Sequence, residues 1–157
     1  MQTLVVYASK YGCTADCAAY LKENLPGDVT LVDINQVKQP IEIGAYDTVL
    51  IGGSVYAGKI AKNLRAFCEG NLDALLKKKI GLFLCCAQTE QVDTSLKANF
   101  PAALLAHATT AKTFGSEARL DKMRTLDKVL IKAVTKGDFS GFQILNENLE
   151  AFVREIS

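Results

Sequence analysis

The sequence predicts an α/β fold in which a five-stranded parallel sheet lies between two layers of helices. Short apolar, β-branched runs alternate along the chain with segments whose apolar residues recur at helical spacing. Several of the runs are apolar at nearly every position, which is typical of parallel strands covered on both faces. Right-handed crossovers between such strands place helices on both sides of the sheet. Because no linker-like, repetitive or low-complexity tract interrupts the 157 residues, we expect a single domain over 1–157.

The individual elements follow from these patterns. The predicted strands are Thr3–Ala8, Val29–Asp33, Thr48–Gly52, Ile80–Cys86 and Thr109–Phe114. The fifth is less apolar than the others, so we expect it near an edge of the sheet. The first predicted helix begins near Thr14 and ends at Pro26-Gly27. The later ones cover Ala61–Glu69, Leu72–Lys78, part of Asp93–Ala106, Leu120–Thr135 and Asn146–Ile156, the last with Asn146 as its N-cap.

Charge and cysteine usage exclude several classes of protein. With 18 basic and 17 acidic residues the net charge is +1, which argues against a dedicated nucleic-acid binder. The apolar runs are shorter than the roughly 18–20 residues of a transmembrane helix, and the amino terminus lacks a signal-peptide pattern. Five cysteines without a CxxC pair predict reduced thiols in a cytoplasmic protein. Cys13 and Cys17 are four residues apart, but with one histidine in the chain we predict no metal site.

The loop after the first strand carries the most informative residues. Ligands of open parallel sheets bind beyond the carboxyl ends of the strands, so the loops after strands one, three and four are candidates. The first, SKYGCT at Ser9–Thr14, combines two hydroxyls, a glycine and the start of a helix. Helix-start amides, the helix dipole and the hydroxyls together favour a phosphate. A hydroxyl-capped helix after a tight turn explains the same residues without a ligand, and both interpretations remain open at this point.

Other phosphate chemistries lack the residues that they need. A dinucleotide fingerprint requires three glycines where only Gly12 is present, and a Walker A loop requires a Gly-Lys-Ser/Thr sequence. A phosphoryl-accepting regulator requires acidic residues after the first and third strands, which are missing here. A cysteine nucleophile at Cys13 has no following arginine within the loop to bind its phosphate. These exclusions favour a noncovalently held phosphomonoester.

Two segments carry a resemblance to a known family. YASKYGCTADCAAYL resembles the phosphate loop of flavodoxins, and VLIGGSVYAGKIAKNLRAF resembles their second flavin loop. The closer resemblance is to the flavodoxin-like branch that includes menaquinone-dependent protoporphyrinogen oxidase, whose late helix resembles Asp127–Lys132 with the trailing Lys136-Gly137. It extends over nearly the whole chain. The resemblance implies a three-layer flavodoxin-like sandwich of strand order 2-1-3-4-5, FMN as cofactor, and an oxidoreductase that passes electrons to a quinone or a protein acceptor.

The resemblance also implies which residues surround FMN. Backbone amides of the first loop and the hydroxyls of Ser9 and Thr14 would hold the phosphate. The second loop would run beside the isoalloxazine ring, with Tyr56 as a stacking ring, and the loop after strand four would close the polar edge of the ring. No catalytic residue is identified. The implied cofactor-binding residues are Ser9, Lys10, Tyr11, Gly12, Cys13, Thr14, Ser54, Val55, Tyr56, Ala57, Gly58, Ala87, Gln88 and Thr89.

The chain departs from the patterns of these relatives in two ways. Acidic electron carriers often hold the flavin between a tryptophan and a tyrosine, whereas this chain has no tryptophan and a net charge of +1. We therefore favour an enzyme-like or quinone-linked role over a soluble shuttle. The segment Gln88–His107 is shorter and far less basic than its counterpart in the protoporphyrinogen oxidase branch, which argues against a porphyrinogen substrate and membrane contact. The alternatives are a flavodoxin-type electron carrier between partner proteins and a flavodoxin-like domain without flavin.

Overall fold

The computed structural model describes residues 1–86, 91–115, 129 and 143–157. Within these residues the strands β1 to β5 are Gln2–Ala8, Asp28–Asp33, Thr48–Ser54, Lys79–Cys85 and Thr110–Thr113. The helices α1 to α6 are Cys13–Asn24, Lys62–Gly70, Leu72–Leu75, Val92–Asn99, Ala102–His107 and Asn146–Ile156. The predicted helix over Leu120–Thr135 lies outside the described residues apart from Val129.

The five strands form one parallel sheet of order β2-β1-β3-β4-β5. This order confirms the predicted 2-1-3-4-5 topology, and β5 lies at an edge as its weaker apolar pattern predicted. The chain reverses its direction of winding at β1, because β2 lies on one side of that strand and β3 on the other. The carboxyl ends of β1 and β3 therefore border the switch point of the sheet.

Alternate residues of each strand supply two separate cores. Helices α1 and α6 cover one face, where Phe83, Phe114 and Phe152 pack against each other with ring centroids 4.9 to 5.9 Å apart. Helices α2 to α5 lie on the opposite face over residues such as Ile51 and Leu82. Both faces of β3 and β4 are thus buried, as their continuous apolar runs predicted. None of the helices in the described ranges combines the length and apolar character needed to cross a bilayer.

Several predicted boundaries differ from the structure, most of them by one to three residues. Strand β3 continues through Ser54, two residues beyond the predicted end, because Gly53 and Ser54 pair with Leu84 and Cys85 of β4. The predicted helical segment Asp93–Ala106 is divided into α4 and α5 at Pro101, which lacks the N–H that a continuous helix needs. Asn146 is the first residue of α6 rather than its cap, and Leu145 at the cap position makes no side-chain capping bond.

Candidate functional site

A cavity of about 300 Å³ lies at the switch point, beyond the carboxyl ends of β1 and β3. The two strands are neighbours in the sheet, but β1 leads into α1 on one face and β3 leads toward α2 on the other. Their loops therefore separate and leave a crevice between them. The cavity is lined by Ala8, Ser9, Lys10, Asn35, Ser54, Tyr56, Lys59, Ile60 and Ala61.

The loop after β1 is held in shape by its own serine. The Ser9 Oγ accepts hydrogen bonds from the backbone N–H groups of Gly12 and Ala15, at 3.1 and 3.3 Å. Gly12 immediately precedes α1 with φ 99° and ψ −14°, a left-handed conformation that glycine adopts without strain. The loop thus delivers the chain to the first turn of α1, where the helix-start amides and the dipole favour an anion.

Thr14 and Ser54 connect the two loops directly. The Thr14 Oγ1 and the Ser54 Oγ lie 2.5 Å apart, and Thr14 is completely buried. One hydroxyl belongs to the first turn of α1 and the other to the last residue of β3, so this bond fixes the spacing between the loops. The sequence placed both residues in the candidate site, and the structure brings them together.

The loop after β3 is a tight two-residue hairpin. Tyr56 and Lys59 exchange backbone hydrogen bonds of 2.9 and 3.0 Å, while Ala57 and Gly58 between them both have positive φ, at 50° and 78°. Two consecutive positive φ values are typical of a type I′ turn, which matches the twist of paired strands. The turn presents the ring of Tyr56 toward the cavity that it lines.

Asn99 at the end of α4 anchors this hairpin. Its Oδ1 accepts the backbone N–H of Ile60 at 2.9 Å, and its Nδ2 donates to the carbonyl of Gly58 at 3.1 Å and to that of Ser95 at 2.8 Å. Only 3% of Asn99 is exposed, so its side chain is a buried polar group whose hydrogen-bonding atoms are all used. Sequence reasoning missed this residue because it lies 39 and 41 positions from its two partners in the hairpin.

The mouth of the cavity carries aromatic rings and positive charge. Tyr11 and Tyr56, one from each loop, meet edge to face with ring centroids 5.8 Å apart. The ammonium of Lys10 lies 4.7 Å from the ring centroid of Tyr56 and 5.4 Å from that of Tyr11, within the range of cation–π attraction. Lys59 also lines the cavity, and the described lining residues include no carboxylate. The site therefore has a positive electrostatic character.

The structure unites the first two predicted loops and adds residues that the sequence did not indicate. Ala87, Gln88 and Thr89, which were predicted to close the site, lie outside the described residues. Asn35 lines the cavity, where its Nδ2 lies 3.5 Å from the carbonyl oxygen of Ser9 and its Oδ1 accepts a 2.8 Å bond from Asn63. Its place just after β2 was a signal, since that strand also ends at the same edge of the sheet.

The fold and the site define an open α/β protein with an anion-favouring ligand crevice at its switch point. Residues 4–140 match the family model described as flavodoxin domain, and the chain belongs to that family. Membership of this family supports FMN as the cofactor, as the sequence predicted. A comparison with curated proteins found no significant match.

Solved structures show the same fold at low sequence identity. Flavodoxin 1 from Bacillus cereus is 14% identical with a TM-score of 0.56, over 99% of this chain and 97% of that one. A flavodoxin from the domain Archaea is 13% identical with a TM-score of 0.51, over 99% and 94%. The flavodiiron protein of Giardia intestinalis is 13% identical with a TM-score of 0.51, and this chain covers 38% of it. These likenesses confirm the flavodoxin-like α/β fold.

Proposed function

We propose that this protein binds FMN noncovalently at the switch-point cavity and uses it as an oxidoreductase that passes electrons to a quinone or a protein acceptor. The observation that carries the proposal is the convergence of the β1–α1 loop and the β3 hairpin, joined by Thr14 and Ser54, on one positively charged crevice. Flavodoxins are a known example of this arrangement, with FMN at the switch point between β1 and β3. FMN would supply the redox chemistry, and the chain would supply position and electrostatics.

The first loop would hold the phosphate and the second would hold the ring system. The backbone amides of Cys13 and Thr14 lie in the first turn of α1, at the end of the helix where the dipole favours negative charge. The loop residues Ser9–Thr14 would surround the phosphate. Ser54, Val55, Tyr56, Ala57 and Gly58 would border the isoalloxazine, with Ala87, Gln88 and Thr89 closing it from the next loop. FMN binding would separate Tyr11 from Tyr56, because the two tyrosine rings now contact each other and Tyr56 would have to stack on the isoalloxazine instead.

Positive charge at the cavity supports an enzyme-like role. Lysines beside a flavin stabilise its anionic reduced form, whereas an acidic surface opposes addition of a second electron. We expect Lys10→Gln and Lys59→Gln each to shift the two-electron midpoint potential of bound FMN to a more negative value. Lys22→Gln at the far end of α1 is the matched control, which should leave the potential unchanged. Equal potentials in all three variants would remove the electrostatic argument.

The finer assignments are part of the proposal. The two loops and the late helix support kinship with the protoporphyrinogen oxidase branch, while the short, weakly basic Gln88–His107 favours a substrate other than porphyrinogen. Residues 1–157 would form a single FMN-binding domain. The five cysteines without a CxxC pair favour reduced thiols and with them a cytoplasmic location.

FMN titration of the apoprotein tests the binding site. Thr14→Val removes the hydroxyl that bonds Ser54, and Gly12→Val places a Cβ at φ 99°. The Thr14 hydroxyl would also bond the FMN phosphate, and a hydrogen bond to a charged group is worth about 1.5–3 kcal/mol. We therefore expect FMN affinity to fall about 10- to 100-fold. Thr94→Val on the exposed side of α4 and Gly44→Val, where a Cβ meets nothing within 4 Å, are controls. Equal affinity in the site variants and the controls would overturn the phosphate assignment.

Anaerobic reoxidation separates the enzyme from the carrier. The holoprotein, reduced under anaerobic conditions, is mixed with a menaquinone analogue or with flavodoxin-dependent protein acceptors, and free FMN is the control. If the quinone reoxidises the reduced holoprotein faster than it reoxidises reduced free FMN, the result supports the oxidoreductase. Fast, salt-dependent exchange with protein partners alone would favour the electron carrier, which the near-complete overlap with Flavodoxin 1 of Bacillus cereus also supports.

A further inference from the structure

Three cysteines converge beneath the first turn of α1. Cys13 and Cys17 belong to that helix and Cys85 is the last residue of β4. Their three Sγ atoms all lie within 4.8 Å of one another, and those of Cys17 and Cys85 are 3.9 Å apart. The three residues are only 6, 3 and 1% exposed. We call this group the thiol cluster.

The convergence follows from the periodicity of the two elements. Cys13 and Cys17 are separated by one helical turn, so both side chains lie on the face of α1 that covers the sheet. Cys85 alternates with Leu84 on β4 and therefore points to the α1 side, in the same core as Phe83. The sequence indicated the first pair, but the third sulfur comes from a residue 68 positions after Cys17.

The three sulfurs converge inside an apolar core, which they share with Leu21, Phe83 and Phe114. Three convergent sulfurs resemble the ligand set of a soft ion.

We propose that the thiol cluster of Cys13, Cys17 and Cys85 is a binding site for a trivalent thiophilic ion such as arsenic(III). Metal–sulfur bonds of about 2.3 Å, as for zinc, place three sulfurs about 4 Å apart around one ion, and a pyramidal centre draws them slightly closer. The observed separations allow this arrangement with small side-chain movements. Cys13 in the first turn of α1 is the most exposed of the three thiols, so local opening of this turn would admit the ion.

Charge balance selects the trivalent ion. Arsenous acid reacts with three thiols by breaking three As–O bonds and forming three As–S bonds, while each thiol proton leaves with a hydroxide as water. Arsenic stays trivalent throughout, so no oxidant or reductant is consumed. The product is neutral, whereas a divalent ion on three thiolates would leave a buried net charge of −1 that an apolar environment disfavours.

Arsenite binding to the purified protein, with any bound cofactor retained, tests the proposal. We expect one arsenic per chain by native mass spectrometry and, in X-ray absorption spectra of the wild type, three sulfur neighbours and no oxygen. Cys17→Ala should weaken binding by more than about tenfold, since even an outer-shell partner of a metal site is worth that much. Cys68→Ala is the matched control, a buried cysteine in the opposite core.

The wild-type spectra keep the proposal testable if Cys17→Ala does not fold. Absence of binding, or a retained As–O bond in the wild type, would overturn it. Equal arsenite affinity in Cys17→Ala and Cys68→Ala would also overturn it, because the ligands would then lie elsewhere.

Discussion

Asn99 offers a sharp test of how the candidate site is built. Asn99→Ala removes the acceptor of the Ile60 N–H and the donor to the Gly58 carbonyl, the two bonds that anchor the β3 hairpin to α4. Ile60 is only 4% exposed, so water does not readily replace the lost acceptor. Gly58 is exposed, and its carbonyl regains a bond from solvent.

The expected loss follows from this difference. An unsatisfied buried N–H costs about 1–3 kcal/mol, and the lost bond to the Ser95 carbonyl adds a fraction of one more hydrogen bond. We therefore expect Asn99→Ala to lower the free energy of unfolding by about 2–3 kcal/mol. Because urea m-values are about 1–3 kcal/mol per molar, the unfolding midpoint should fall by about 0.7–3 M.

Urea unfolding monitored by circular dichroism measures this loss, and FMN titration of the same samples measures its effect on the site. Asn63→Ala is the control, since its exposed side chain bonds Asn35 and should change stability by less than about 0.5 kcal/mol. Equal midpoints for Asn99→Ala and Asn63→Ala would refute the anchoring role.

Two further predictions concern the sheet and its edge. Gly52→Ala would place a Cβ 2.2 Å from the buried ring of Phe83, so we expect thermal unfolding to show that the free energy of unfolding falls by about 1–3 kcal/mol. Gly44→Ala is the control, because a Cβ there would have nothing within 4 Å and should leave stability nearly unchanged. Similar losses in the two variants would contradict the packing argument. The Thr110 hydroxyl donates to the Glu155 carboxylate and holds the pKa of that carboxyl below its ordinary 4.5. The associated stabilisation is therefore present above pH 4.5 and is lost as the pH falls below 4.5. Thr110→Val should raise the pKa of Glu155 in an NMR titration, and an unchanged pKa would assign the shift to another neighbour.

The fold was predictable because its signals are local. Continuous apolar runs marked β1, β3 and β4 as doubly covered strands, and the helical spacing of apolar residues marked α1 and α6. Boundaries were less predictable where tertiary packing overrode local preference. Gly53 and Ser54 follow the predicted end of β3, yet the strand continues through them because they pair with Leu84 and Cys85 of β4.

Sheet topology predicted which loops form the candidate site, but not the contacts within it. Strand order places the loops after β1 and β3 at the same edge, so the sequence identified Thr14 and Ser54 without showing that they bond each other. Asn99 and Cys85 act through contacts with residues far away in the chain, and neither has a local signature. In a sequence, a buried asparagine or cysteine with such distant partners cannot be distinguished from any other asparagine or cysteine of a helix or strand.

The first turn of α1 belongs to both proposed sites. Its amides face the predicted phosphate, the Thr14 hydroxyl bonds Ser54, and Cys13 turns toward the sheet to meet Cys85. An ion held by the thiol cluster would fix the same turn that FMN needs, and FMN would in turn restrict the opening through which the ion enters. Because coupling between two binding equilibria is reciprocal, arsenite should change FMN affinity by the same factor as FMN changes arsenite affinity. An FMN affinity that arsenite leaves unchanged would mean that the two sites are not coupled through this turn.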